Sequence, residues 1–267
     1  MASEPGEASI SMKFRLTQAV RYDDLDAGLS LRLAALVRFC QEAAVRHSEH
    51  AGYSAERLMA DGVAWVMHKL GVDVRRYPRG GETLTVTTWS RGGQGFRAWR
   101  DFVLTAAAAP GAPAPPGGEE VVAVAASEWF FVDAVRSRPK RFQPALLEEY
   151  TTEADRALAV DFELWPAWDG AGADFERTIT TRRSDFDSNG HANHAAYLDF
   201  LETLLWRAPA APGADAFPPV RSVRLTFAGA TPPSAAVVTG QLRRTDGGAL
   251  FLIAHEAGTA CHGKVTF

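Results

Sequence analysis

The sequence predicts an α+β protein made of two copies of one unit, each an antiparallel sheet wrapped around a single long helix. Three observations lead there. A constant shift of 161 positions sets Asp24-Leu25-Asp26 on Asp185-Phe186-Asp187, Ala34-Ala35-Leu36 on Ala195-Ala196-Tyr197, and Phe39 on Phe200, with no gap. In each copy a strand-like run enters an Asp-rich turn, and a stretch of helical period follows. Several Val-, Thr- and aromatic-rich runs then succeed one another across short turns, which is the layout of an antiparallel sheet rather than of alternating strands and helices.

In the first copy, Lys13 to Arg21 reads as the leading strand. Leu33, Leu36, Val37, Cys40 and Ala44 recur at helical spacing toward His47, so this helix should bury one face. Ala64 to Arg76, Glu82 to Trp89, Arg97 to Thr105 and Val121 to Asp133 are strand-like, with Gly-rich turns between them. The Ala/Pro/Gly-rich insert from Ala106 to Gly118 offers nothing to pack and reads as a mobile hairpin loop. Scattered Pro and charge from Pro139 to Gly172, with a short helical stretch near Ala145 to Glu149, mark the connection between copies. The second copy runs through a strand at Phe175 to Arg183 and a helix around His194 to Trp206. Strands near Val220 to Phe227, Ala235 to Leu242, Ala249 to Glu256 and Thr259 to Phe267 complete it. The predicted division is an N-terminal repeat over 1–140, a linker over 141–172 and a C-terminal repeat over 173–267.

The chain has 267 residues, enough for two such units to bury their cores. Its longest apolar runs fall far short of the ~20 residues of a membrane span. The first residues carry acids and no apolar stretch, so a cytoplasmic location is expected. A net charge of -4 argues against general nucleic-acid binding. Cys40 and Cys261 are too isolated for a disulfide framework or a thiolate metal site and read as buried thiols.

The stretch Ser184-Asp185-Phe186-Asp187-Ser188-Asn189-Gly190-His191-Ala192-Asn193-His194 crowds carboxylate, amide and imidazole groups ahead of an apolar helix. Asp, Ser, Asn and Gly also cap helices, so a turn and a cap account for part of it. A cap does not need His191 and Asn193 as well. Free N–H groups at a helix start can also polarise a carbonyl oxygen that gains charge, as acyl transfer requires. At the matching places of the first copy, Gly28, Leu29 and Ser30 replace Asn189, Gly190 and His191. One copy is equipped for chemistry, and the other keeps only the turn.

The run Arg183 to Tyr197 resembles the Asp-x-Asn-x-His stretch in the second hotdog repeat of the acyl-acyl-carrier-protein thioesterases of plants and bacteria. Gln41-Glu42-Ala43-Ala44, Gly62-Val63-Ala64-Trp65-Val66 and Arg76-Tyr77-Pro78-Arg79-Gly80-Gly81-Glu82 are similar to that family's N-terminal half. The resemblance implies a tandem double-hotdog fold and hydrolysis of the thioester joining a fatty acyl chain to the phosphopantetheine arm of acyl carrier protein, with no metal or organic cofactor. By position it implies Asp187, Asn189 and His191 as the catalytic set, with Asp187 attacking the carbonyl or activating water. The family's acid after the next strand is not matched, because Ala230 stands in its place. That leaves a second reading, a non-catalytic module that binds acyl thioesters or the carrier protein.

Trp65, Trp89, Trp99 and Trp129 could line an acyl tunnel or form core; Trp65 is taken as a substrate-binding candidate. Arg75, Arg76, Arg79, Arg91, Arg97 and Arg100 could form a docking face for an acidic carrier or stand as solvated strand ends; Arg76 and Arg79 are the candidates. Glu42 and Glu202, on the two helices, could replace the missing acid or be paired surface groups. A duplicated chain can stand alone as a pseudo-dimer, so monomer and homodimer both remain open.

Overall fold

The structure, a computed structural model of the chain, describes residues 13–108, 111, 113, 116–150, 152–165, 167–209 and 217–267. The N-terminal segment read above for a leader, and residues 109, 110, 112, 114 and 115 of the Ala/Pro-rich insert, lie outside them. In chain order the elements are β1 (Phe14–Ala19), α1 (Leu33–His50), α2 (Ala55–Ala60), β2 (Val63–Val74), β3 (Thr83–Gln94), β4 (Arg97–Ala107), β5 (Glu120–Asp133) and β6 (Arg138–Pro139). After them come α3 (Pro144–Glu149), β7 (Phe175–Thr180), α4 (Ala196–Arg207), β8 (Ser222–Phe227), β9 (Val237–Thr245), β10 (Gly248–His255) and β11 (Gly258–Thr266).

All the main strands form one antiparallel sheet in the order β1-β3-β4-β5-β2-β8-β11-β10-β9-β7. Matching the copies pairs β1 with β7, β3 with β9, β4 with β10, β5 with β11 and β2 with β8. The order therefore reads the same from either edge, as a two-fold relation between the halves requires. The halves join where β2 pairs with β8, Leu70 opposite Leu225 and Val72 opposite Val223. All four side chains are almost fully buried.

α1 and α4 lie against the same face of this sheet and against each other, and their apolar stripes feed one core. Leu33, Leu36, Val37, Cys40 and Ala44 of α1 are all buried, as their spacing predicts. Leu198, Leu201 and Leu204 do the same for α4. Both cysteines are buried free thiols, and burial pushes the Cys40 thiol up to about 12.

The opposite face of the sheet is covered by the connection between the halves. Leu158 and Phe162 pack on Val124 and Ala126 of β5, and Lys69 Nζ of β2 donates to the Phe162 carbonyl at 2.6 Å. Gly71 of β2 lies beneath Trp165, which a Cβ would approach to 3.3 Å. The connection is thus packed structure rather than a bare tether. α2 goes unanticipated because it buries no side chain and so leaves no apolar period; Ser54 caps it, its Oγ accepting from the Arg57 N–H at 3.2 Å. Among the described residues no helix is long and apolar enough to cross a membrane.

Candidate functional site

Asp187 sits in a tight loop between two backbone crossings. Phe186 pairs with Ala192 as an isolated antiparallel bridge, the Asp187 N–H donates to the His191 carbonyl at 3.0 Å, and the Gly190 N–H donates to the Asp187 carbonyl at 3.1 Å. Gly190 has φ +73°, a value that glycine adopts without steric cost. Below the loop, buried Asp185 holds the Arg182 guanidinium at 2.8 Å and takes its backbone N–H at 2.6 Å. This ion pair anchors the entry to the loop.

The Asp187 carboxylate accepts from the Asn189 N–H through Oδ1 at 2.9 Å and from Asn193 Nδ2 through Oδ2 at 3.4 Å. Asn193 Oδ1 accepts the Ala195 N–H at 2.9 Å, so one side chain both closes the turn ahead of α4 and steadies the carboxylate. Asn193, noted in the sequence beside His191 but not counted in the catalytic set, is the side chain that contacts Asp187. The side chains of Asn189 and His191 are exposed and have no partner among the described residues. They share the loop with Asp187 without touching it.

Asp187 and Phe186 form a wall between two cavities. One, about 320 Å³, lies between the loop and the other repeat's helix: Arg38, Gln41 and Glu42 of α1 face Ser184, Asp187 and Asn193. The second, about 450 Å³, is bounded by Arg182, Arg183, Gly190, Pro233 and Ala236. Ala230 is exposed, and Thr231 beside it is turned into the core, where its Oγ1 and the Tyr197 hydroxyl are 2.9 Å apart. The segment after β8 therefore brings no carboxylate at position 230. Glu42 of the first repeat lines the 320 Å³ cavity instead, while also accepting from Arg46 at 2.8 Å.

The matching loop of the first repeat is filled. Arg32, in the place of Asn193, donates to Asp199 at 3.1 Å and to the Asp23 carbonyl at 3.0 Å. Glu202 takes the N–H groups at the start of α1, Leu33 at 2.9 Å and Ala34 at 3.4 Å. Burial pushes its carboxyl up to about 7, against the opposing pull of those two N–H donors. Leu29, in the place of Gly190, is held at φ +62°. Asp26 still accepts the Gly28 and Ser30 N–H groups at 2.8 and 2.9 Å, so the turn is kept.

His194, expected as an exposed helix-start residue, is a half-buried ring set edge-on to Trp129 and Phe227, each at 6.2 Å. Its Nε2 is buried without a hydrogen-bond partner, and burial, with Arg38 nearby, pulls its pKa down to about 4. α4 consequently starts at Ala196, not at His194.

The remaining candidates lie elsewhere. Trp65 packs on Phe131 at 4.9 Å and Phe142 at 5.8 Å and lines neither cavity. Arg76 is bound by both oxygens of Glu82, at 2.9 and 3.0 Å, and by Glu120 at 2.9 Å. Arg79 donates to the Gly28 carbonyl at 3.2 Å, beside the filled loop. The proposed basic face does not include Arg100, which is buried and donates to His47 Nδ1 at 2.7 Å, or Arg91, paired with buried Asp101 at 3.5 Å. Trp89 is core. Among the described residues no three His, Cys, Asp or Glu side chains converge as a metal site.

Residues 11–150, more than half of the chain, match the family model for the acyl-ACP thioesterase N-terminal domain. The chain belongs to the acyl-ACP thioesterase family. It is 26% identical over 200 residues to the chloroplastic palmitoyl-acyl carrier protein thioesterase of Arabidopsis thaliana, covering 70% of this chain and 46% of that protein. It is 24% identical, with the same coverage, to the chloroplastic acyl-[acyl-carrier-protein] hydrolase FATB2 of Cuphea viscosissima. This member thus spans about half the length of the curated relatives it matches. Its fold is similar to that of the 12:0-ACP thioesterase from Umbellularia californica, with a TM-score of 0.78 at 19% identity over 96% of each chain. An acyl-ACP thioesterase from Bacteroides thetaiotaomicron gives 0.74 at 16% identity, over 96% of this chain and 98% of that one. The fold of this family member is the double hotdog that the family resemblance implies, built from the two α+β copies that the repeat predicts.

Proposed function

We propose that this family member hydrolyses fatty acyl thioesters carried on the phosphopantetheine arm of acyl carrier protein, with Asp187 at the reaction centre. The observation that supports this most directly is the Asp187 carboxylate, held by the Asn189 N–H and the Asn193 amide at the wall of two cavities. Asp187 attacks the thioester carbonyl carbon or takes a proton from water that does so. In both courses the C–S bond breaks and the sulfur leaves as thiol with a proton; where Asp187 attacks directly, one water then cleaves the acyl–Asp187 anhydride, and in the other course that water attacks first, so the acyl group ends as the free acid and Asp187 is restored. Asn189 and His191, on the same loop with unengaged side chains, complete the set by reaching the substrate or the attacking water. Arg38, Arg182 and Arg183 at the cavity edges suit the phosphate of the carrier arm and an acidic carrier surface.

The experiment is thiol release from acyl-carrier-protein and acyl-CoA substrates of several chain lengths, with Asp187→Ala run beside wild type. Wild type should hydrolyse, and the variant should lose about 10²–10⁴-fold in kcat. Equal background rates would end the enzyme reading. One observation favours the alternative of a non-catalytic acyl-thioester binder: Ala230 is exposed, and Pro233 and Ala236, which follow it, bring no acid to the 450 Å³ cavity. In that case wild type binds acyl-carrier-protein without turnover.

A further inference from the structure

The two-fold relation between the repeats makes every contact across α1 and α4 comparable with its mate. Glu202 of α4 grips the N–H groups of Leu33 and Ala34 at the start of α1. The constant shift of 161 places Gln41 at the position of Glu202, and His194 and Ala195 at those of Leu33 and Ala34. Gln41 lines the 320 Å³ cavity with Asp187 and Asn193. Its carboxamide has no hydrogen-bond partner among the described residues. The Ala195 N–H is taken by Asn193, while the His194 N–H makes no hydrogen bond among the described residues. In one repeat the helix-start donors are plugged by a carboxylate from across the axis. In the other a neutral amide lines the cavity beside Asp187, and no carboxylate crosses to it.

We infer that the reaction centre is composite: Gln41, from the repeat without the Asp187 loop, donates its side-chain N–H to the thioester carbonyl oxygen in the cavity it shares with Asp187. This deepens the hydrolase reading and rests on it. A carboxamide suits the place for an electrostatic reason. It offers donors to an oxygen gaining negative charge, beside a carboxylate that must stay close to the carbonyl carbon. A glutamate there would repel both.

The test is Gln41→Ala and Gln41→Glu, with Glu202→Gln as the control on the filled side. Losing one donor to a developing oxyanion costs about 10²–10³-fold in kcat, so Gln41→Ala should fall by about 10²-fold with KM little changed. Gln41→Glu should fall further while its thermal stability is kept or raised, because the fold already accepts glutamate at the matching position. Glu202→Gln should leave kcat unchanged. Gln41 variants within twofold of wild type in both kcat and KM would overturn the inference. Failure of the hydrolase reading looks different: wild type and Asp187→Ala then share one background rate. Binding decides in that event, using the acyl-pantetheine analogue with CH₂ in place of sulfur beside the carbonyl and the same analogue with that carbonyl reduced to CH₂. Wild type should prefer the carbonyl analogue by about tenfold, and Gln41→Ala should lose that preference. No preference in wild type, or the same preference in both proteins, overturns the inference.

Discussion

Single residues carry the difference between the two loops. Leu29 sits at φ +62° and is exposed, where Gly190 sits at φ +73° in the Asp187 loop. The left-handed conformation costs a side chain about 1–2 kcal/mol, and a glycine's extra freedom in the unfolded chain offsets about 0.5–1 of that. Leu29→Gly should therefore stabilise by about 0.5 kcal/mol in urea unfolding, and a clear loss would show that Leu29 makes a contact worth more than its strain. Glu202 ties stability to pH. Its folded pKa, about 7, lies above its ordinary value of 4.5, so the folded protein holds the proton more tightly. That contribution is full below about pH 4.5 and is lost as pH rises toward 7. His47 acts in the opposite sense: burial and Arg100 lower it to about 3 from 6.5, so stability is lost as pH falls through that window. The Tm of wild type minus that of Glu202→Gln should shrink between pH 5 and pH 8. A constant difference would remove Glu202 from the account.

Elements were legible wherever burial imposes a period, and less so where it does not. α1 follows from Leu33, Leu36, Val37, Cys40 and Ala44, and β1 to β5 follow from their β-branched runs, with ends within a few residues of those expected. The start of α4 was misplaced because Asn193 holds the Ala195 N–H in a turn ahead of the helix, which no spacing announces. Asp187 stood out in the sequence as a candidate; its hydrogen bond from Asn193, and the wall given by Gln41 and Glu42, did not, because helix crossing is a tertiary fact. The packing of the inter-repeat connection was hidden for the same reason. Phe162 is buried on Val124 and Ala126, so Phe162→Ala should cost about 3 kcal/mol in denaturant unfolding. An unchanged midpoint would mean that the connection only drapes over the sheet.

At the scale of the molecule, one sheet and one core span both repeats. Unfolding should therefore be a single transition, with calorimetric and van't Hoff enthalpies equal, and two separable transitions would contradict the shared core. Leu225→Ala, at the β2–β8 seam, should cost about 2–5 kcal/mol and lower that one transition as a whole. Arg38 bonds Asp199, and the two are each other's counterparts under the shift of 161, so this pair sits where the two halves meet on their axis. In a homodimer a residue at such a point faces its own copy, and a charge there meets the same charge. Joining the halves in one chain lets that point hold opposite signs. Covalent fusion thus gives each half freedom to specialise against its twin, and the ion pair at the axis is a mark of how far that divergence has gone.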